Sequence, residues 1–482
     1  MPDRAIVVGS GPNGLAAAVT LARAGVPVEV YERSHALGGG AHTAEVTLPG
    51  FRHDICSAVH PMALVSRFFG DFGLTERVRF VNPELAYAQA ITPERAALAW
   101  RDLERTADGL GRDGPAWRAL LRPFVDHADR VADLVSGALH AVPDRPWELP
   151  GIVRGVLEQG TRAGTLRWRE EEAPALLAGV LAHTIRPLPS LSTAAAGMVL
   201  AGAAHVGGWP IPVGGSQAIA DAMADDARAH GATLTTGVEV RSLADLPAAR
   251  AVLFDTTPRA LVRIAGDRLP AGYARRLLQF RYGDGAAKVD FALAGPVPWA
   301  AAGLREAGTI HLGGTREETT AAEGAVARGY YPERPYVLVA QPSVHDPTRA
   351  PAGRHVLWAY THVPHGSTRD MTEAITARIE RFAPGFRDLV LASTAHSAAQ
   401  LEHHNPNYVG GDIAAGAVSL PQLLARPVLA ADPWRAPGGR GLYLCSASTS
   451  PGPGVHGIGG WRAALSALRH EYGIDRAPVL AP

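Results

Sequence analysis

The segment AIVVGSGPNGLAAAVTLARAGVPVEVYER, residues 5–33, constrains the fold more than any other part of the chain. Ala5–Val8 is a short continuous apolar run, the pattern of a parallel strand covered on both faces, and Val28–Tyr31 reads as the next such strand. Between them the small residues Leu15–Ala24 predict a helix, closed by Gly25 at a C-cap and followed by Pro27. Gly9, Gly11 and Gly14 place GxGxxG at the strand-to-helix turn, with Pro12 and Asn13 inside it. The first glycine permits the tight turn, the second lets backbone approach a pyrophosphate, and the third lets the helix pack on the strand. The helix amides then face the anion. Glu32, 18 residues after Gly14, ends the second strand where a carboxylate can accept from a ribose hydroxyl pair, and Arg33 follows it. A purely structural glycine turn is the alternative; the two flanking strands and the acid favour a dinucleotide site.

A second cluster, Gly38, Gly39 and Gly40 in ERSHALGGGAHT, follows within a few residues, where nicotinamide domains have ordinary chain. With GFRHDICSAVHP (residues 50–61), whose Gly50, Phe51 and Asp54 form a GFxxD-like turn, the sequence resembles the FAD-binding fold shared by flavin amine oxidases and phytoene desaturases. That resemblance implies FAD, bound in extended form. Near the end, GLYLCSASTSPGPGVHGIGGW gives a buried strand, Leu442–Cys445, a loop of Gly452, Gly454 and Gly457, and a helix from about 458 to 470. GPGVHG also fits GxGxxG, but no second strand and ribose acid follow to complete a nicotinamide domain. The stretch resembles the C-terminal flavin motif of phytoene desaturase-like and carotenoid isomerase-like enzymes. By that resemblance Ser446, Gly454, Val455 and Gly457 touch the cofactor, and the helix N-terminus steadies negative charge on the reduced ring.

The middle of the chain divides less sharply. Residues 76–200 read as largely helical, whereas 207–243 return to a glycine turn, a helix over Ser216–His230, and a strand at Val238–Val240 expected to rejoin the dinucleotide sheet. By resemblance, Val240 backs the adenine. The hairpin that family members carry next is missing here, which trims one sheet edge. At 482 residues the chain exceeds one ordinary core. The expected fold is α/β: an FAD-binding Rossmann-like (glutathione reductase-like, three-layer) domain over 1–75, 205–265 and 425–482. It interweaves with an α+β substrate domain over 76–204 and 266–424.

Composition narrows the partners. With 46 basic and 46 acidic residues the net charge is zero, so there is no long-range field for nucleic acid or anionic lipid. An apolar peripheral membrane contact stays open, as does oligomeric state. Cys56 and Cys445 form no CxxC pair and suit a reducing compartment; the strand that starts almost at once leaves no room for a signal peptide, so a cytoplasmic location is expected. Residues 191–209 are too short and too interrupted for a bilayer span and predict a buried helix.

Lys288, in GAAKVDFALAGPVPW, is the single lysine beside 45 arginines. In the amine oxidase branch that the sequence resembles, a lysine on a substrate-domain strand binds a water beside flavin N5. Such an ammonium can hydrogen-bond a water, favour the anionic ring, or act as a base after burial, which arginine cannot do. An ordinary surface cation, spared by a GC-biased coding sequence, is the plainer alternative. Tyr360 and His362 are candidate substrate-pocket residues, since they follow the strand-like HVLWAY. His362 and His365 form HxxH, but Val-Pro between them argues against one helical face and no third ligand is evident, so no metal is expected. His403 and His404 read as a solvated loop, while Trp209 and Trp299 are candidates for an apolar pocket. Together these features imply an FAD-dependent oxidoreductase that removes a hydride from a largely apolar small molecule and passes electrons to oxygen, a quinone or another acceptor. A flavin amine oxidase releasing hydrogen peroxide, a redox-neutral double-bond isomerase and a non-enzymatic flavin-binding module are the competing readings.

Overall fold

The computed structural model describes residues 3–140, 145–438 and 441–482. Its first sheet has five strands, all parallel, in the spatial order Leu442–Leu444, Ala251–Phe254, Ala5–Val8, Val28–Tyr31, Thr233–Thr235. They are drawn from widely separated parts of the chain, as a dinucleotide fold assembled in pieces requires. Ala5–Val8 is central and wholly buried, which explains its lack of polar alternation. Helices cover both faces. On one side Leu15 and Val19 of Pro12–Arg23 pack with Ile219 and Met223 of Gln217–Ala229 and with Ile458 and Ala463 of Ile458–Ala467. On the other, Ile6, Val8 and Phe254 meet Leu261, Ile264 and Leu277 from the helices Pro258–Ala265 and Ala271–Leu278.

Two details differ from the sequence expectation. The strand that joins the sheet edge after the 217–229 helix is Thr233–Thr235, not Val238–Val240. The chain turns at Gly237, whose amide bonds Ser34 O, and Val238 contributes only a single amide bond to Glu32 O at 2.8 Å. The first helix also starts at Pro12 rather than Leu15, because proline is pre-set for a first helical position.

The second sheet has seven strands, ordered Val390–His396, Gly285–Leu293, His355–Val363, Val337–Ala340, Thr309–Leu312, Leu85–Ala90, Ala96–Trp100. Neighbours are antiparallel except Thr309–Leu312 against Leu85–Ala90. The 76–200 region is therefore not simply helical: it donates two edge-side strands before its longer helices begin at Leu103. Leu85–Ala90 pairs with Thr309–Leu312, more than 200 residues away, and Ala96–Trp100 folds back on it as the edge strand, so local periodicity does not reveal their place in the sheet. One face of this sheet is sealed by Ile375, Ile379 and Phe382 of the helix Thr372–Phe382, packed on Val289, Phe291 and Leu357. The alternate residues of those strands point the other way, toward the interior between the two sheets.

The predicted 191–209 helix forms over Leu191–Val206, with Ser190 Oγ accepting from Thr193 N at its N-cap. Met198 and Ala201 join the helical core, while Ala195, Ala196, Val199 and Leu200 face a cavity. No helix among the described residues is long and apolar enough to cross a membrane.

Candidate functional site

A cavity of about 610 Å³ runs from the glycine turn of the first sheet to the inner face of the second, a size typical of small-molecule and cofactor sites. At the dinucleotide end the turn is packed with no spare room. A Cβ on Gly14 would stand 2.2 Å from Gly9 O, so helix and strand can meet only without a side chain there. Glu32 is held in place before any ligand arrives: its carboxylate accepts from Ser10 N at 2.8 Å, Ser10 Oγ at 2.7 Å and Ser34 N at 2.7 Å. An oriented acid at the end of the second strand is what a ribose diol requires.

One acid in this turn was not anticipated. Asp255 follows the strand Ala251–Phe254 and is 8% exposed. Its Oδ2 accepts from Gly14 N at 2.9 Å, and a Cβ on Gly11 would lie 2.5 Å from the same oxygen. Burial pushes this carboxyl up to about 7, with Glu32 acting in the same direction and the Gly14 and Gly11 amides pulling against both. The sequence signal was present in LFDTT, where a buried apolar strand ends in an acid just as VEVYE does.

The C-terminal helix closes the same end. A Cβ on Gly460 would fall 1.7 Å from Asn13 O, so Ile458–Ala467 crosses Pro12–Arg23 backbone to backbone. This brings Gly454, Val455 and Ser446 to the cavity wall opposite Gly9, Gly11, Pro12, Asn13, Glu32, Arg33, Gly39, Gly40 and Val240, all of which line it. Gly14, Gly38 and Gly457 do not line it. Gly14 faces Asp255, Gly38 N bonds Ser10 O at 3.0 Å, and Gly457 lies against Phe68 and Ala16.

In the second sheet, register decides what Lys288 faces. It pairs with Tyr360 on one side and His396 on the other, so Lys288, Asp290, Trp358, Tyr360 and His362 share the inner face. Lys288 is 3% exposed, and its Nζ donates to Asp290 Oδ2 at 2.6 Å and to Asp54 O at 3.1 Å. Burial raises the Asp290 carboxyl, and Lys288 pulls it back. Burial also opposes ionisation of Asp54, yet Arg349, 2.5 Å away, together with Ser216 N and Thr43 Oγ1 holds that carboxyl below the usual range. Lys288 thus sits in a buried polar layer directly behind Trp358, whose ring centroid is 5.8 Å from Nζ. Trp358 and Tyr360 line the cavity; Lys288 and His362 do not.

His362 Nδ1 is 2.7 Å from Glu323 Oε1, with its ring stacked on Tyr336, whereas His365 turns away to Gly283 O at 2.7 Å. HxxH is therefore split between two neighbourhoods. Trp209 lines the cavity, but Trp299 is buried in the sheet core with Nε1 on Gln341 Oε1 at 3.0 Å. His403 and His404 end the helix Ala398–His404 rather than lying in a loop, and His404 reaches the cavity. A further lining residue is His183, whose Nε2 lies 2.9 Å from Nε2 of the fully buried His311. Burial lowers His183 to about 3, so its imidazole is neutral. Nothing in its local sequence marks it; the pairing exists only because a helix end meets strand Thr309–Leu312.

A parallel sheet with a glycine-rich strand-to-helix turn, an acid oriented at the end of the second strand and a second glycine-rich helix start is the architecture of an FAD-dependent oxidoreductase of the Rossmann-like type. The residues fit the cofactor: Gly9, Gly11, Pro12 and Asn13 bring the turn's backbone to the cavity wall, and Glu32 lines the same end. The chain belongs to the flavin containing amine oxidoreductase family, which residues 13–268 match, and its cofactor is FAD. Over 96% of its length it is 28% identical to the rat protein named pyridine nucleotide-disulfide oxidoreductase domain-containing protein 2, covering 93% of that protein. A stretch spanning 23% of this chain and 20% of its counterpart is 32% identical to one of the subunits of limonene dehydrogenase from Castellaniella defragrans. In fold it is similar to cyclohexylamine oxidase from Brevibacterium oxydans, with a TM-score of 0.60 at 16% identity, covering 99% of this chain and all of that one.

Proposed function

We propose that the protein is a dehydrogenase or desaturase that takes a hydride from a C–H bond of a largely apolar small molecule. The observation that carries this reading is the lining beyond the dinucleotide turn. There the walls include Ala195, Val199, Leu200, Trp209, Leu338 and Trp358, and the polar residues among them, such as Tyr360, Thr309, Thr184, His60 and neutral His183, carry no carboxylate. Every carboxylate on the lining among the described residues, namely Glu32, Glu239 and Asp255, belongs to the dinucleotide end. An ammonium substrate would enter this half with no acid to pair with, at a desolvation cost of several kcal/mol. A neutral apolar substrate incurs no such cost. The local similarity to a limonene dehydrogenase component supports the same direction.

Bound FAD supplies the hydride-accepting ring. The chain supplies orientation and dryness: Trp358 and Tyr360 form the wall on the sheet side, and the alanine-rich face of Leu191–Val206 forms the opposite one. Lys288, fixed by Asp290 and the Asp54 carbonyl, places a buried positive charge behind Trp358, and His362, fixed by Glu323, holds the Tyr336 and Tyr360 rings in place. Oxygen or a quinone takes the electrons onward. Two cysteines with no partner sulfur suit a reducing cytoplasm.

The test is anaerobic mixing of the purified yellow protein with terpenes, polyenes and primary amines in turn. Bleaching of the flavin by a neutral apolar compound is expected. Bleaching by amines alone, with hydrogen peroxide on admission of air, would replace this reading with an amine oxidase.

A further inference from the structure

The anion-binding turn holds a carboxylate where a carboxylate should be unwelcome. Asp255 Oδ2 occupies the amide of Gly14 in the first turn of Pro12–Arg23, and Asp255 is among the residues that line the cavity there. A dinucleotide brings a doubly anionic diphosphate to that same helix end. Among the described residues no arginine, lysine or histidine forms an ion pair with Asp255. The groups facing it are Glu32 from the end of Val28–Tyr31, Cys445 from the end of Leu442–Leu444, and Tyr408 and Asn407 from the segment after Ala398–His404. Burial pushes both Cys445 and Tyr408 well up, so neither carries charge near neutrality, and Asn407 donates to the backbone carbonyl of Asp255 rather than to its carboxyl.

We propose that Asp255 is a cofactor-site residue that meets FAD in its protonated form, so that the dinucleotide binds together with one proton. Two like charges inside one buried turn repel unless one is neutralised. The diphosphate stays ionised at any pH above the acid range, which leaves Asp255 as the group that accepts the proton. A neutral carboxyl keeps an oxygen for the Gly14 amide and gains an O–H donor for the anion. The sign follows. Free protein is protonated at Asp255 below about 7 and ionised above it, so affinity is flat on the acid side and falls tenfold per pH unit on the alkaline side. This inference is independent of which substrate is oxidised.

The experiment dilutes the holoprotein and follows released FAD by its fluorescence between pH 6 and pH 9. Wild type should lose cofactor progressively above pH 7, whereas Asp255→Asn should hold it across the range, on the order of tenfold more tightly at pH 8. A flat wild-type profile, or an equal slope in Asp255→Asn, would overturn the proposal. Infrared difference spectra of the two holoproteins at pH 8 give a second readout. A protonated carboxyl band present in wild type and lost in Asp255→Asn is expected, and its absence from wild type also overturns it.

Discussion

The two sheets solve the problem of building a site in opposite ways. In the five-stranded sheet the working parts are backbone: amides at a helix start, missing side chains at Gly14 and Gly460, and one acid oriented by Ser10 and Ser34. In the seven-stranded sheet they are side chains: strand pairing puts Trp358 and Tyr360 on the cavity wall with Lys288 and Asp290 buried on the same face, and a helix end adds His183. Backbone sites tolerate almost no added volume but little affect charge balance. Side-chain sites tolerate volume and depend on charge balance.

The largest expected effect breaks the first sheet. Gly460→Val places a branched side chain on Asn13 O, where even a Cβ would lie at 1.7 Å. The two helices must separate, at a cost on the order of 5 kcal/mol. We expect little soluble yellow protein, read as flavin content and melting temperature; a holoprotein of wild-type stability would show that the two helices do not meet there. Next is Lys288→Met, which leaves Asp290 buried without its cation and should cost about 3–5 kcal/mol in denaturant unfolding. The double variant Lys288→Met with Asp290→Leu removes both charges and should recover most of that loss. If the single variant is as stable as wild type, the ion pair does not support this sheet.

The contrast also explains what could be read in advance. Gly9, Gly11, Glu32 and Gly454, which line the cavity, stand in short motifs because a turn built from backbone leaves its signature within a few neighbouring residues, although Gly14 and Gly457 of the same motifs serve packing instead. The cavity half did not. Lys288 stood out as a lone lysine, yet its partner Asp290 lies on the same strand face and behind Trp358, an arrangement decided by pairing with His355–Val363. The strands Leu85–Ala90 and Ala96–Trp100 were hidden because the first pairs across the sheet with Thr309–Leu312 and is buried on both faces, which erases the period-two alternation. His183 acquires meaning only beside His311. Asp255 was legible in principle, as an acid closing a buried strand, but no motif reserves that place for it.

A third change sharpens the boundary, since Asp255 is a side chain inside the backbone-built site. Its folded pKa is raised above the unfolded value of 3.8 to about 7, so the folded state holds the extra proton between those values. Stability of the FAD-free wild type therefore falls as pH rises from 4 to 7 and is level beyond. Asp255→Asn escapes this penalty: near pH 4 the two proteins should match, and by pH 8 the variant should be more stable by about 2–4 kcal/mol. A stability difference that does not change between pH 4 and pH 8 would rule out the raised titration.

The smallest effect comes from a site in which geometry is already fixed by others. Glu32→Gln keeps its one carbonyl oxygen for Ser10 N and Ser10 Oγ but turns an NH2 toward Ser34 N, so one bond holding the turn is lost, and it exchanges a charged acceptor for a neutral one where we propose the ribose binds. Charge-assisted bonds are about twice as strong as neutral ones, and the expected loss is about 1 kcal/mol, roughly fivefold in FAD affinity. The same substitution also removes a charge that helps to raise Asp255. Without it the free protein gives up the Asp255 proton more readily, so the alkaline decline in FAD retention should begin at lower pH in Glu32→Gln than in wild type. Affinity measured across pH separates the two contributions: a uniform loss reports the ribose contact, and a displaced midpoint reports the coupling of Glu32 to Asp255. A midpoint that stays put would mean that the two acids, one ending each of two strands that flank Ala5–Val8, titrate independently.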